Sequence, residues 1–353
     1  MGLPMVKGKV TILKKIGDLQ TPHLAWFLPA LATLTFILSW AGAFPTGVVE
    51  PWFAHALFPK ISYLAGRFAD AVSFSWLDVG IPLTLVLLVA LLRGRRFRLL
   101  ASLVAALYLF FFWTWGLNYH RQPLVSRLPF DAERTKPPNM ERFTQRVAGE
   151  INRLYAEKQR NGYDEERTQA ETVRRVERVV AAIDGSEWTA SSRIKSSRVA
   201  NPWFHMAGIA GVFNPFGHEP IVSDTLLDVE RPFVIAHELG HVRGYPSEGD
   251  ANLIAVFATI MSDDPVLQYS GWLDLWEYLR YPEIDTLLDP GPRRDLQRIA
   301  ERARREQVRW ISNVQTAILD WFLKANSVDE GIRSYSQVVL LAAGTEPYWN
   351  RFR

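Results

Sequence analysis

The sequence predicts an α-helical membrane anchor of three transmembrane helices joined to a mostly helical α+β soluble domain with a small sheet. Long uncharged apolar runs occur only in the first third of the 353 residues. Charge divides at the same place. Residues 1–117 carry ten Lys/Arg and four Asp/Glu, a net of +6, whereas the remainder carries thirty and thirty-three, a net of −3. After residue 139, apolar residues recur at helical spacing, broken by one Gly/Pro-rich stretch.

The anchor comes first. No residue between Asp18 and Glu50 is charged, and Leu24–Phe44 is almost wholly apolar. Such a run of 21 residues is long enough for a hydrocarbon core about 30 Å thick at about 1.5 Å per residue. A second run, Ala71–Leu92, contains one carboxylate, Asp78, near its start, and a third, Leu99–Tyr119, contains no charge. Lys7, Lys9, Lys14 and Lys15 precede the first run, and Arg93, Arg95, Arg96 and Arg98 separate the second from the third. The positive-inside rule then puts residues 1–22 and the Arg-rich turn in the cytoplasm, 23–119 in the bilayer and the rest outside the cytoplasm. Ala41-Gly42-Ala43 resembles a signal-peptide cleavage site, but the apolar stretch is longer than such peptides use.

Pro123, Pro129, Pro137 and Pro138 predict an extended linker over 120–138, leading to a soluble domain over 139–353. Asn139 is expected to cap an amphipathic helix with Met140, Phe143, Val147, Ile151 and Leu154 inward, ended by Asn161-Gly162. A second helix carries Ala170, Val173, Val176, Val180 and Ile183 and stops at Asp184-Gly185. Two short strands are expected at Ile209–Phe213 and Pro220–Ser223. One long charged helix is expected from Arg293 to Ala325, with Leu296, Ile299, Ile311, Ile318 and Phe322 inward.

The chemistry lies in His237-Glu238-Leu239-Gly240-His241. Two His four apart on a helix project from one face, so both imidazoles can reach one Zn²⁺, and the adjacent Glu238 stands where a general base is needed. Gly244 suits a left-handed helix end that turns the chain back. The third ligand is then expected at Glu248, with Asp250 as the rival. Arg231 and Arg243 bracket the motif and no long apolar run surrounds it, which argues against a site inside the bilayer.

His237–Ala255 resembles the gluzincin pattern of membrane metallopeptidases such as the type 1 CAAX prenyl protease and its bacterial heat-shock relatives. Their second motif is Glu-x-x-Ala-Asp. Here it reads Glu248-Gly249-Asp250-Ala251-Asn252, with Asn252 in the place of Asp and a shorter gap after His241. The resemblance implies a zincin-like fold and Glu248 as ligand. A broader resemblance is to a bacterial membrane family, domain of unknown function 3810. It rests on Trp115–Tyr119, Gly208–Glu219, His237–Asn252, Ser262-Asp263-Asp264, Tyr269-Ser270-Gly271, Gly331 and Ser334-Tyr335. It implies an N-terminal membrane region joined to a His-Glu-x-x-His domain, and it brings no substrate with it. It also suggests Tyr335 as the donor that polarises the scissile carbonyl, with His218 and Arg333 as rivals. His205 and His120 read as structural.

Composition narrows the function. No cysteine, 48% apolar and 22% charged residues exclude a disulfide scaffold, a collagen and a disordered chain. A pI near 9 suggests nucleic acid, but the basic excess belongs to the anchor, so no nucleic-acid partner is expected. The expectation is a membrane-anchored zinc metallopeptidase acting on a peptide or protein of the cell envelope. The competing readings are a zinc-containing scaffold or receptor and a zinc amidohydrolase with a non-peptide envelope substrate.

Overall fold

The computed structural model describes residues 24–185, 187–188, 190–191, 193–279, 284–325 and 337–353. Helix α1 (Leu24–Trp40) leads through a turn at Gly42 to a π-helical stretch, Val49–Leu57, continuous with α2 (Phe58–Asp70). Helices α3 (Leu77–Arg93) and α4 (Phe97–Thr114) follow, and α4 packs against both α1 and α3. Among the described residues one helix, α4, is long and apolar enough to cross a membrane, and only 17% of it is buried. The described parts of α1 and α3 have 17 residues each, about 25 Å, short of a typical hydrocarbon core. The second run shortens because its helix starts only at Leu77. Asp78 lies in the first turn, where Oδ1 accepts from Ser197 Oγ at 2.7 Å and from the Val199 amide at 2.9 Å. This carboxylate therefore faces residues 197–199, at the helix end that favours negative charge.

The Pro-rich stretch 120–138 is not an extended linker. It forms 3-10 turns at Gly116–His120, Leu124–Arg127 and Ala132–Thr135, and Leu124 enters the core. Helix α5 (Pro137–Asn161) starts earlier than expected, because Pro137 and Pro138 supply its first turn and Asn139 lies within it. Its inward face is Phe143, Val147, Ile151 and Leu154, each worth about 1.5–3 kcal/mol on burial. Helix α6 (Glu165–Asp184) is capped by Asp164, which accepts from the Arg167 amide, and ends at Gly185 with φ +69°. Its buried face is Thr172, Val176, Val179 and Val180, while Ala170 faces outward.

After α7 (Asn201–Ala207), strands β1 (Gly211–Asn214) and β2 (Glu219–Val222) pair antiparallel, with Gly211 opposite Val222, and Lys195 bridges the outer edge of β2 at Ile221. Helices α8 (Arg231–Val242), α9 (Glu248–Ile260) and α10 (Pro265–Leu279) form the centre with α5 and α6. Every residue of α9 is buried. Gly240 lets α8 approach closely, since a Cβ there would lie 3.3 Å from Ala251 Cα.

The expected long charged helix is two helices, α11 (Pro290–Glu306) and α12 (Arg309–Ala325), followed by α13 (Val338–Thr345). Gln307 is extended and its side chain packs over Gly208, while the Val308 amide donates to Met206 O at 2.9 Å. That contact replaces the helical hydrogen bond and turns the chain, leaving Ile318 outward rather than inward. A second apolar cluster joins the two halves of the molecule. Phe53, Phe58, Phe112 and Trp115 pack with Phe213 and Val242.

Candidate metal centre

The local sequence explains why α8 presents its two histidines together. Pro232 starts the helix, and Phe233, Ile235, Ala236 and Leu239 bury one side of it. His237 and His241 sit one turn apart with ring centroids 4.7 Å apart. His237 Nδ1 is 2.7 Å from Asn252 Oδ1, and His241 Nδ1 is 2.7 Å from the Tyr245 carbonyl oxygen. Both partners accept hydrogen bonds, so each Nδ1 carries the proton and each Nε2 offers a lone pair. The two Nε2 atoms lie 3.1 Å apart.

Gly244 ends this turn with φ +80°, and a Cβ there would come within 2.6 Å of the Phe58 ring and 2.9 Å of Asn118 Oδ1. Only glycine combines that backbone with that crowding. The reversal brings Glu248, the first residue of α9, back beneath the histidines. Its Oε2 is 3.1 Å from His237 Nε2 and 3.5 Å from His241 Nε2. A tetrahedral ion with bonds of about 2.0–2.1 Å spans ligand–ligand edges of about 3.3 Å. The triangle of 3.1, 3.1 and 3.5 Å fits that size. Burial alone would raise the Glu248 carboxyl, but the two histidines hold it well below the usual carboxylate range.

Glu238 supplies a further observation. It is buried, and its Oε2 has no hydrogen-bond partner among the described residues. An orphaned carboxylate oxygen beside a ligand triangle suits a site built to hold a polar group absent from the protein itself. Burial pushes Glu238 up to about 7, against the pull of His237 and His241. It lies under β1, where a Cβ on Gly211 would come within 2.6 Å of Glu238 Oε1. β2 holds one side of β1, and no strand pairs its other side among the described residues.

The rival residues go elsewhere. Asp250 Oδ2 accepts from the Leu124 amide at 3.2 Å, and burial raises its carboxyl to about 6. His218 bonds Ser62 Oγ at 2.6 Å between Phe58 and Phe213, and burial lowers its imidazole to about 4. His205 pairs with Asp224 and His120 with Ser39 Oγ. Tyr335 and Arg333 lie outside the described residues.

The family model described as Protein of unknown function (DUF3810) matches residues 53–343. The chain belongs to this family. The DUF3810 match runs from the π-helical stretch into α13, so it leaves out α1 and includes α3, α4 and the His237–His241–Glu248 cluster. No curated protein and no solved structure matches the chain.

Several contacts around the centre were not legible in the sequence, which marked Asn252 only as a departure from the Glu-x-x-Ala-Asp motif. Asn252 orients His237, and Tyr278 OH lies 3.5 Å from Asn252 Nδ2. The phenols of Tyr119 and Tyr278 both feel the Glu248 charge. Behind the Gly244 turn, Arg121 and Arg127 share Glu50 and Asp184, Arg121 Nη1 donates to Gly244 O at 3.0 Å, and Tyr245 OH donates to Asp184 at 2.7 Å.

Proposed function

We propose that this protein is a membrane-anchored zinc metallopeptidase of zincin-like design, with its soluble domain outside the cytoplasm and a peptide or protein of the cell envelope as substrate. The observation that carries the reading is the His237–His241–Glu248 triangle with the unpartnered Glu238 oxygen beside it. A scaffold that only used the metal for stability would need no buried, unpartnered carboxylate at this point. The runs 24–44, 71–92 and 99–119 are proposed as three crossings. Exposed apolar side chains on all three helices support this, among them Phe36, Leu85 and Phe110.

Zinc held by His237, His241 and Glu248 would supply Lewis acidity for the carbonyl and an acidified water. Glu238 takes the proton from the attacking water and delivers it to the leaving amine. The edge of β1 that no described strand pairs offers main-chain hydrogen bonds to an extended peptide passing Gly211, directly over Glu238. Asn252 and the Tyr245 carbonyl keep both imidazoles in the ligating tautomer. Tyr335 is proposed as the donor to the developing oxyanion.

The test uses the full chain purified in detergent. Metal analysis is expected to find about one zinc per chain, lost in His237→Ala. Glu238→Gln is expected to keep the zinc and lose hydrolysis of a quenched peptide library. Full metal occupancy in His237→Ala would refute the centre, and full hydrolysis by Glu238→Gln would refute the mechanism.

A further inference from the structure

Outside α1–α4, a run of exposed apolar side chains lies on α12. Trp310, Val314, Ile318 and Trp321 share one face of this helix and are 66%, 45%, 52% and 70% exposed. On the packed side Leu323, opposite the stripe, and Ile311, on its flank, are buried. The spacing i, i+4, i+8, i+11 keeps the exposed stripe on one side throughout the 17 residues. Asn313 and Thr316 lie off the stripe, and Arg309 and Lys324 mark the two ends.

The position of α12 indicates what covers this stripe. Phe322 contacts the rings of Phe111 and Tyr119, at centroid distances of 6.2 Å each. Phe111 is in the last turn of α4, the helix long and apolar enough to cross a membrane. Phe216, half exposed, stacks on Phe110 at the same level. Phe322, on the flank of α12 next to the stripe, thus sets the stripe beside the apolar wall of α4 at the level where that wall ends. Two tryptophans with a cation at either end is the pattern of a helix lying in a headgroup boundary, where indoles seat at the interface and long cations reach outward.

We infer that α12 is an in-plane membrane helix whose Trp310–Val314–Ile318–Trp321 face rests in the outer edge of the bilayer that surrounds α4. The other end of α12 is tied to Met206 through Val308, five residues before Gly211 of β1, and Phe322 meets Tyr119, which packs edge-on against Trp115. One attachment thus leads into the strand that lies over Glu238, and the other reaches Trp115, the donor to the His241 carbonyl. Resting on the peptidase reading, this makes the substrate a polypeptide segment held at the membrane surface rather than one free in solution.

The chain has no cysteine, so single nitroxide labels can be placed without background. The full chain is reconstituted in nanodiscs of phosphatidylcholine and phosphatidylglycerol. Collisional accessibility to oxygen and to a water-soluble nickel chelate is then compared at Val314→Cys, Ile318→Cys, Asn313→Cys and Thr316→Cys. The expected result is a reversal. Oxygen dominates at 314 and 318, and nickel dominates at 313 and 316. Nickel dominating at 314 and 318 would overturn the proposal in favour of a solvated face. Exclusion of both reagents there would overturn it in favour of a protein partner or a second copy. The measurement needs neither zinc nor hydrolysis, so the peptidase reading and this one can fail separately.

Discussion

The indole nitrogen of Trp115 donates to the carbonyl oxygen of His241 at 3.1 Å. One buried hydrogen bond thus joins the residue that ends α4, the helix apolar enough to cross a membrane, to the second histidine of the candidate metal centre. Trp115→Phe keeps the packing against Phe213 and removes the donor. Loss of about 0.5–1.5 kcal/mol in stability is expected, with weaker zinc retention against a chelator.

Asn252 should matter more to the metal than to the fold. Its Oδ1 fixes the His237 tautomer. Asn252→Ala is expected to lower zinc affinity about 10–100-fold, read by competition with a chromogenic chelator. Unchanged affinity would mean that the ring needs no such orientation.

Gly211→Ala separates binding from chemistry. The added methyl would collide with Glu238 Oε1, Cγ and Cδ, and that side chain is buried. The variant is expected to bind zinc normally while peptide hydrolysis falls about 10²–10⁴-fold, the scale of general-base catalysis.

Behind the ligand loop, Asp184 accepts from Arg121, Arg127 and Tyr245 in a nearly sealed position. Asp184→Asn leaves two arginines short of countercharge. A loss of about 3–5 kcal/mol is expected, visible as a lower midpoint in chemical denaturation and as earlier zinc release.

His218 gives a stability dependence on pH. Its folded imidazole is lowered from 6.5 to about 4 by burial, so the unfolded chain binds the extra proton between those values. Its contribution is complete above about 6.5 and is lost as pH falls toward about 4. His218→Gln should flatten that part of the profile relative to the parent chain.

What the sequence revealed about the centre was local. His237, His241 and Glu248 fall within twelve residues, and helical periodicity plus one glycine suffices to bring them together. Both strands lie within two residues of their expected bounds for the same reason. What stayed hidden depends on distant partners. The break at Gln307 is caused by Met206 and Gly208, a hundred residues upstream, and charge periodicity continues straight through it. Proline content at 123–138 suggested a linker because nothing nearby shows Leu124 reaching the core or Arg121 reaching Asp184. Asp78 looked like a flaw in a membrane run until Ser197 and Val199 were seen to receive it.

The Gly244 turn is made after the residues that shape it. Phe58, Trp115, Asn118 and Arg121, which hold the turn and its histidine, all precede it in the chain. During synthesis the mould exists before the loop that is cast in it. A fragment beginning at residue 139 would have the loop without the mould, and its Phe213 and Val242 would face water. Residues 49–121 are therefore needed for the native shape of the Gly244 turn and of the candidate centre that it positions.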